Sequence, residues 1–258
     1  MNKFHVNKLY LEVTRMCNLE CLHCMRGDRE DKYMSLETID ILFKNISSIT
    51  TMLITGGEPF LAVEQLKRIQ HNINRYGINV SNIIIVTNCS ILSNDILKVL
   101  DYFYKNCSLE LDVSGDKFHL MELEKRNLLE KRNEYLEMIK KIYPTATEIL
   151  ACENTEFIIY KMGRARLLTD NMIDEFNNYG VITEYRLVPE EEIESYIADS
   201  RLPYINKLSI EGCLYIDVNG NITKAFETYK NEDIDIYGRI TSDKALYYTV
   251  SNIRKPRK

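Results

Sequence analysis

Through the first half of the chain, short apolar stretches alternate with longer amphipathic ones. Residues 8–14 (KLYLEVT) alternate polar and apolar positions with the period of a strand. Residues 35–46 follow with Ile39, Leu42 and Phe43 at helical spacing, and Ser35 stands where an N-cap belongs. Residues 51–55 form a short apolar strand that runs into Gly56-Gly57. Residues 60–76 are amphipathic and stop at Gly77, the residue type expected just past a helix. Residues 82–87 are a β-branched run, 93–105 a helix and 108–114 a fourth strand. A long charged helix is predicted over about 120–142, closed by Pro144. Residues 147–152 and 181–187 supply a fifth and sixth strand, with a helix near 171–178 between them.

Repeated strand–helix pairing with apolar strands predicts a parallel sheet covered by helices. Five or six such units in about 190 residues are too few for a complete eight-unit barrel, so a partial barrel and an open doubly wound sheet both fit. Beyond Pro189 the pattern changes to a short helix and a hairpin at Val218-Asn219-Gly220-Asn221, an Asn-Gly turn signal.

Length and composition agree with one large α/β domain: 258 residues with 45% apolar content can bury a sizeable core. A net charge of −5 with both signs mixed argues against a nucleic-acid binder; only the last five residues are strongly basic, as a solvated tail would be. The polar start lacks a signal-peptide apolar region, and Ile83-Ile84-Ile85-Val86 is the longest aliphatic run. A bilayer span needs roughly 20 apolar residues, so a cytoplasmic protein without a membrane partner is expected. Seven cysteines without a secretory signal point to metal ligation rather than disulfides.

Three of those cysteines, Cys17, Cys21 and Cys24, fall in a C-x3-C-x2-C spacing just after the first strand. Three thiolates on one loop can hold three irons of a [4Fe–4S] cube and leave the fourth iron open. A zinc site with His23 as fourth ligand would crowd four ligands into eight residues, whereas structural zinc sites draw on two separated pairs. A closed electron-transfer cluster would need a fourth cysteine, for which Cys89, Cys107, Cys152 and Cys213 are available by type.

Together with Thr55-Gly56-Gly57-Glu58-Pro59 about 30 residues on, this cysteine loop resembles the radical S-adenosylmethionine (SAM) superfamily over roughly residues 8–190. The resemblance implies a partial (β/α)6 TIM-type barrel with the cluster at its open mouth. It implies that SAM chelates the open iron and is cleaved by one electron to a 5′-deoxyadenosyl radical, which abstracts hydrogen from a substrate. An external one-electron donor of flavodoxin or ferredoxin type follows from the same chemistry. Gly56, Gly57, Glu58 and Pro59 are then expected around the methionine end of SAM. Asn88 closes the third strand, where Cys89 replaces the family's usual glycine, and Ser114 and Asp116 close the fourth beside SAM. His119 falls near the substrate opening. Arg164, in Gly163-Arg164-Ala165, resembles a segment of the peptide-maturase subgroup and is expected to pair with the SAM carboxylate.

The resemblance divides the chain into a radical SAM core, 1–195, and a truncated maturase-type extension, 196–258. No cysteine follows Cys213, so the extension is not expected to hold an auxiliary cluster. The Cys-Leu-His-Cys loop and the Gly-Arg-Ala segment lean toward a peptide or protein substrate. A small-molecule or nucleotide-precursor enzyme and a glycyl-radical activase use the same chemistry. An iron–sulfur electron carrier or sensor would have no use for the Gly-Gly-Glu-Pro segment.

Overall fold

Five parallel strands stand side by side in chain order: β1 (Phe4–Glu12), β2 (Ile46–Thr55), β3 (Asn79–Thr87), β4 (Ser108–Ser114) and β5 (Ala146–Ile149). The first three crossovers are helical: α1 (Leu36–Lys44), α2 (Val63–Tyr76) and α3 (Asn94–Asn106). The computed structural model describes residues 3–149, 157–161, 163–178, 185–188, 204–206, 209–223 and 236–241. Local sequence sets the helix ends. Ser35 Oγ accepts the Thr38 N–H at 3.0 Å and Ser93 Oγ accepts the Ile96 N–H at 3.3 Å, while Gly77 ends α2 in the left-handed conformation, φ +62°.

Alternate strand residues, among them Leu9, Leu11, Met52, Ile54, Ile83, Ile85 and Leu111, are buried in one core. Ile39, Leu42 and Phe43 of α1, Leu66 and Ile69 of α2, and Leu100 and Phe103 of α3 join that core. Full burial of one such side chain contributes about 1.5–3 kcal/mol, so this packing fixes where the strand ends, and the loops leaving them, must lie.

Two elements differ from the sequence expectation. The long charged helix is two helices, α4 (Lys117–Lys125) and α5 (Leu129–Ile142). Asn127 breaks it at φ +57°, a conformation asparagine tolerates better than most residues. The break turns Leu123, Leu128 and Leu129 toward Leu19 and Cys21 of the cysteine loop. A strand not anticipated, β6 (Phe157–Tyr160), pairs in parallel with β7 (Tyr185–Val188), separately from the main sheet and linked through α6 (Asp170–Asn178). Of the expected fifth and sixth strands, residues 150–152 and 181–184 lie outside the described residues.

The C-terminal strands enter the main sheet. β9 (Ser209–Ile216) runs parallel to β1, with β8 (Tyr204–Asn206) antiparallel on it, and β10 (Asn221–Thr223) and β11 (Ile236–Arg239) continue the edge. The expected Asn-Gly hairpin joins β9 to β10. Asp217 Oδ1 accepts the Asn219 and Asn221 N–H groups at 2.8 and 2.7 Å, and Gly220 takes φ +79°. Leu214, Ile216 and Ile222 share the core of the first five strands, so one sheet and one core lie on both sides of residue 195. The class is the expected one, mixed α/β on a mostly parallel sheet. Among the described residues no helix is long and apolar enough to cross a membrane.

Candidate active site

The cysteines occupy the long connection between β1 and α1. Its two ends are tied to each other: Met34 N–H donates to Val13 O at 2.9 Å, and Arg15 N–H and Thr14 Oγ1 both donate to Lys32 O, at 2.9 and 2.8 Å. The end of β2 docks on the same stem, with Gly57 N–H donating to Thr14 O at 2.7 Å and Glu58 N–H to Met16 O at 2.8 Å. A Cβ on Gly56 would stand 2.4 Å from Thr14 O, and one on Gly57 2.3 Å from Met16 O. The paired glycines are therefore required by this backbone approach.

A cavity of about 280 Å³ opens above these segments. Of the sequence-predicted residues, Cys17, Cys21, Cys24, Gly56, Gly57, Asn88, Ser114 and Arg164 line it; Glu58, Pro59 and Asp116 do not. Glu58 is 1% exposed and turned into the protein, where its carboxylate accepts from Phe60 N–H (2.9 Å), Thr87 Oγ1 (2.7 Å) and Asn88 N–H (2.7 Å). It is a strut between the ends of β2 and β3. Pro59 is buried beside it. Asn88 continues the connection, its Nδ2 donating to Asn18 Oδ1 at 3.0 Å while Asn18 Nδ2 donates to Ser90 Oγ at 2.7 Å. Ser114 is held from behind: its carbonyl accepts from Arg132 Nη2 at 2.9 Å, and Arg132 pairs with Glu148 at 2.5 Å.

Gly163 and Arg164 close over the cysteine loop. Arg164 N–H donates to Cys24 O and Arg164 Nε to Cys21 O, each at 3.0 Å. A Cβ on Gly163, which has φ +53°, would stand 2.3 Å from Met25 O. The Gly-Arg-Ala segment thus braces the loop through its carbonyls and leaves the far end of the guanidinium at the cavity wall.

The thiols are suited to a multivalent cation. Burial pushes the Cys17 thiol up to about 12, with the charge of Glu58 adding to it, and burial raises Cys21 as well. Thiols so placed stay protonated near neutral pH unless bound iron stabilises the thiolates. The Leu19 N–H points at Cys17 Sγ from 3.4 Å, a donor suited to a ligated sulfur. Among the described residues no other cysteine lines the cavity, and Cys152 lies outside them. The donor set fits a cluster held by three sulfurs.

Several lining residues carried no sequence signal. Arg26 Nη1 donates to Glu12 Oε1 at 2.6 Å and its Nη2 to Thr55 Oγ1 at 3.1 Å. Glu12, fully buried at the end of β1, also accepts the Val218 N–H at 3.0 Å, so one carboxylate joins the cysteine loop to the β9–β10 turn. The strand alternation gave no reason to single out Glu12, because it describes which positions are apolar and not which polar ones are buried.

Cys89 is buried at φ +57°, the left-handed conformation that favours glycine. Replacement by glycine relieves backbone strain while giving up a buried side chain, and the two effects nearly cancel. Cys89→Gly should change unfolding free energy by no more than about 1 kcal/mol, whereas β-branched Cys89→Val should cost about 2 kcal/mol or more in urea titrations.

Residues 11–154, more than half of the 258-residue chain, match the Radical SAM superfamily. The Probable GTP 3′,8-cyclase of Methanocaldococcus jannaschii is 29% identical over 119 residues, 44% of this chain and 39% of that protein. The GTP 3′,8-cyclase of Clostridium perfringens (strain SM101) is 30% identical over 121 residues, 44% of this chain and 37% of that protein. The chain therefore spans less than half the length of these curated relatives. The solved structure of native anSMEcpe with bound AdoMet and Cp18Cys peptide shares the fold at a TM-score of 0.54 and 13% identity, over 95% of this chain and 80% of that one. The expected TIM-barrel-like class is thus found among solved radical SAM enzymes. With the family matched from the end of β1 to just beyond β5, the chain belongs to the radical SAM superfamily, enzymes that work with a [4Fe–4S] cluster and S-adenosylmethionine.

Proposed function

We propose that Cys17, Cys21 and Cys24 ligate three irons of a [4Fe–4S] cluster and that SAM binds in the same cavity against Gly56, Gly57, Ser114 and Arg164. The bound pair would supply a 5′-deoxyadenosyl radical that takes hydrogen from a peptide substrate. One observation carries this reading: three cysteines of a single loop line one cavity together with the glycine pair that ends β2. Glu58, Pro59 and Asp116 act from behind the wall, fixing the segments that shape it, while Asn88 is part of the wall and ties it to Asn18 of the cysteine loop. Arg164 has both tasks, bracing the cysteine loop through Nε and offering its remaining nitrogens to a carboxylate. In this reading residues 1–195 carry the cofactors and 196–258 complete the β1 edge of the sheet. The electron comes from an external flavodoxin or ferredoxin.

Charge supports a peptide over a nucleoside triphosphate. Four arginines line the cavity, and four carboxylates stand opposite them: Glu30 at Arg15 (3.0 Å), Glu12 at Arg26 (2.6 Å), Glu20 at Arg29 (3.5 Å) and Asp28 at Arg164 (4.0 Å). Among the described lining residues, no surplus positive charge is left for the several negative charges of a triphosphate. The fold likeness to a peptide-bound enzyme covers nearly the whole chain, whereas the likeness to GTP cyclases covers 44% of it. GTP is the second reading, favoured by those relatives.

The anaerobically reconstituted protein with SAM and dithionite should yield 5′-deoxyadenosine. Absence of product from a protein with a full iron complement would reject the enzyme reading. A panel of peptides and GTP, each tested for hydrogen transfer into 5′-deoxyadenosine from deuterated substrate, separates the two substrates. Transfer from GTP alone would overturn the peptide reading.

A further inference from the structure

The geometry points to His119 as the acid–base residue of this site, held by Asp116 and serving a substrate that exchanges a proton at a nitrogen, oxygen or sulfur beside the carbon that loses hydrogen. This rests on the proposed function and deepens it, since peptides carry such groups in backbone amides and in hydroxyl and thiol side chains.

Asp116 is 5% exposed and caps α4, where its Oδ1 accepts the N–H groups of Phe118 at 3.0 Å and His119 at 3.2 Å. Those two bonds fix the carboxylate, and its Oδ2 makes a short hydrogen bond with His119 Nδ1. Burial alone would raise the Asp116 pKa, but the charge and hydrogen bond of His119, and the charge of His23, hold it well below the usual carboxylate range. The His119 ring is 23% exposed, lines the cavity and meets the His23 ring edge-on, with centroids 4.8 Å apart. With Nδ1 engaged, Nε2 is the nitrogen left for a visitor; none of the hydrogen bonds among the described residues uses it. A buried carboxylate that fixes the tautomer and stabilises the imidazolium is the arrangement that makes histidine an effective proton acceptor.

The groups facing His119 are Asp116 from its own helix, His23 from the cysteine loop and buried Glu58 from the turn after β2; Arg164 acts in turn on His23. In the step assigned here, a proton passes from a substrate N–H, O–H or S–H to His119 Nε2. The bonding pair stays on the substrate, the ring becomes imidazolium beside the Asp116 carboxylate, and no electron changes hands. His23, Asp116 and His119 also bring three possible metal ligands within 4.8 Å of one another. The carboxylate, however, already accepts two amides and an imidazole, with His23 Nε2 a further 3.5 Å contact, and a cation would have to displace them.

Diethyl pyrocarbonate, applied to the reconstituted holoenzyme and followed by peptide mass spectrometry, tests the pair directly. Exposed His71 on α2 is the internal reference. His119 should react at least as fast as His71 despite its partial burial. Asp116→Asn keeps an N-cap acceptor and should slow His119 roughly tenfold relative to His71, with circular dichroism unchanged. An unmodified His119, an unchanged ratio in the variant, or protection of His119 by one tightly held equivalent of Zn²⁺ would overturn the assignment. In a second arm, with the peptide found in the substrate panel, His119→Gln should lower kcat about 10²–10³-fold, leave KM within a few-fold and remove one limb of the pH–rate profile. A rise in KM with kcat intact would overturn it. Should the panel yield no peptide, the peptide reading fails and the modification experiment still decides whether the Asp116–His119 pair exists.

Discussion

Cys24→Ala should leave the protein folded and remove iron and SAM cleavage together. The backbone groups of Cys24 hold the loop, its carbonyl accepting from Gly27 N–H at 3.3 Å and Arg164 N–H at 3.0 Å, and alanine preserves both bonds. The side chain is only partly buried against Leu19, Cys21 and Leu123, so its truncation should cost no more than about 1 kcal/mol. Two remaining thiolates cannot hold a cube that needs three, and half-buried Cys17 and buried Cys21 favour the protonated thiol once the iron is gone. The expected result is loss of the cluster's visible absorption and most of the iron, with 5′-deoxyadenosine formation down by about 10³-fold or more. Cys213→Ala is the control, because Cys213 lies on β9 away from the cavity and should leave both intact. A Cys24→Ala protein that keeps its iron and its turnover would show that the cluster sits elsewhere.

The difference between those two cysteines was legible in sequence because ligation leaves a spacing. Cys17, Cys21 and Cys24 announce themselves within eight residues, and Gly56-Gly57 marks a close approach whose partner, the Thr14–Met16 backbone, only the structure supplies. Strands β1 to β4 were legible for a similar reason, since burial against helices writes itself as apolar periodicity. Periodicity is silent where a single residue decides. Asn127 divides a continuous charged pattern into α4 and α5 by adopting a left-handed conformation, which alters no hydrophobic position. It is silent too about long-range polar pairs. Asp116 and His119 were visible as residues near a strand end, but their pairing depends on a helix beginning at Lys117, ahead of the helix expected from about residue 120. The parallel pairing of β9 with β1 joins segments about 200 residues apart, and no local pattern encodes which edge a late strand will choose.

Glu58 shows how a residue can be found for one reason and matter for another. Its place beside the glycines suggested contact with SAM, yet its carboxylate faces inward to three donors from two segments, Phe60 N–H, Thr87 Oγ1 and Asn88 N–H. Glu58→Ala strands those donors in a buried pocket, where each unsatisfied group costs about 1–3 kcal/mol and entering water recovers part of it. A net loss of about 3–4 kcal/mol in urea unfolding is expected. Because Asn88 also holds Asn18 of the cysteine loop, SAM affinity should fall with stability. Glu58→Gln keeps the shape and one acceptor oxygen but turns an NH2 group toward the donors, so an intermediate loss of about 1–2 kcal/mol is expected. The two variants also differ from the parent in their pH dependence. Burial raises the Glu58 pKa in spite of its three hydrogen bonds, so the folded protein holds that proton more tightly than the unfolded chain does. The stabilising contribution is therefore greatest below the ordinary glutamate pKa and is lost as pH rises through the folded value. Removing the carboxyl removes that slope. Unfolding titrations from acidic to neutral pH should show stability of the parent falling relative to Glu58→Gln as pH increases. A gap that instead widens with pH would mean that ionised Glu58 is favoured by its donors beyond its cost of burial, and that the strut works as a charge rather than as a shared proton.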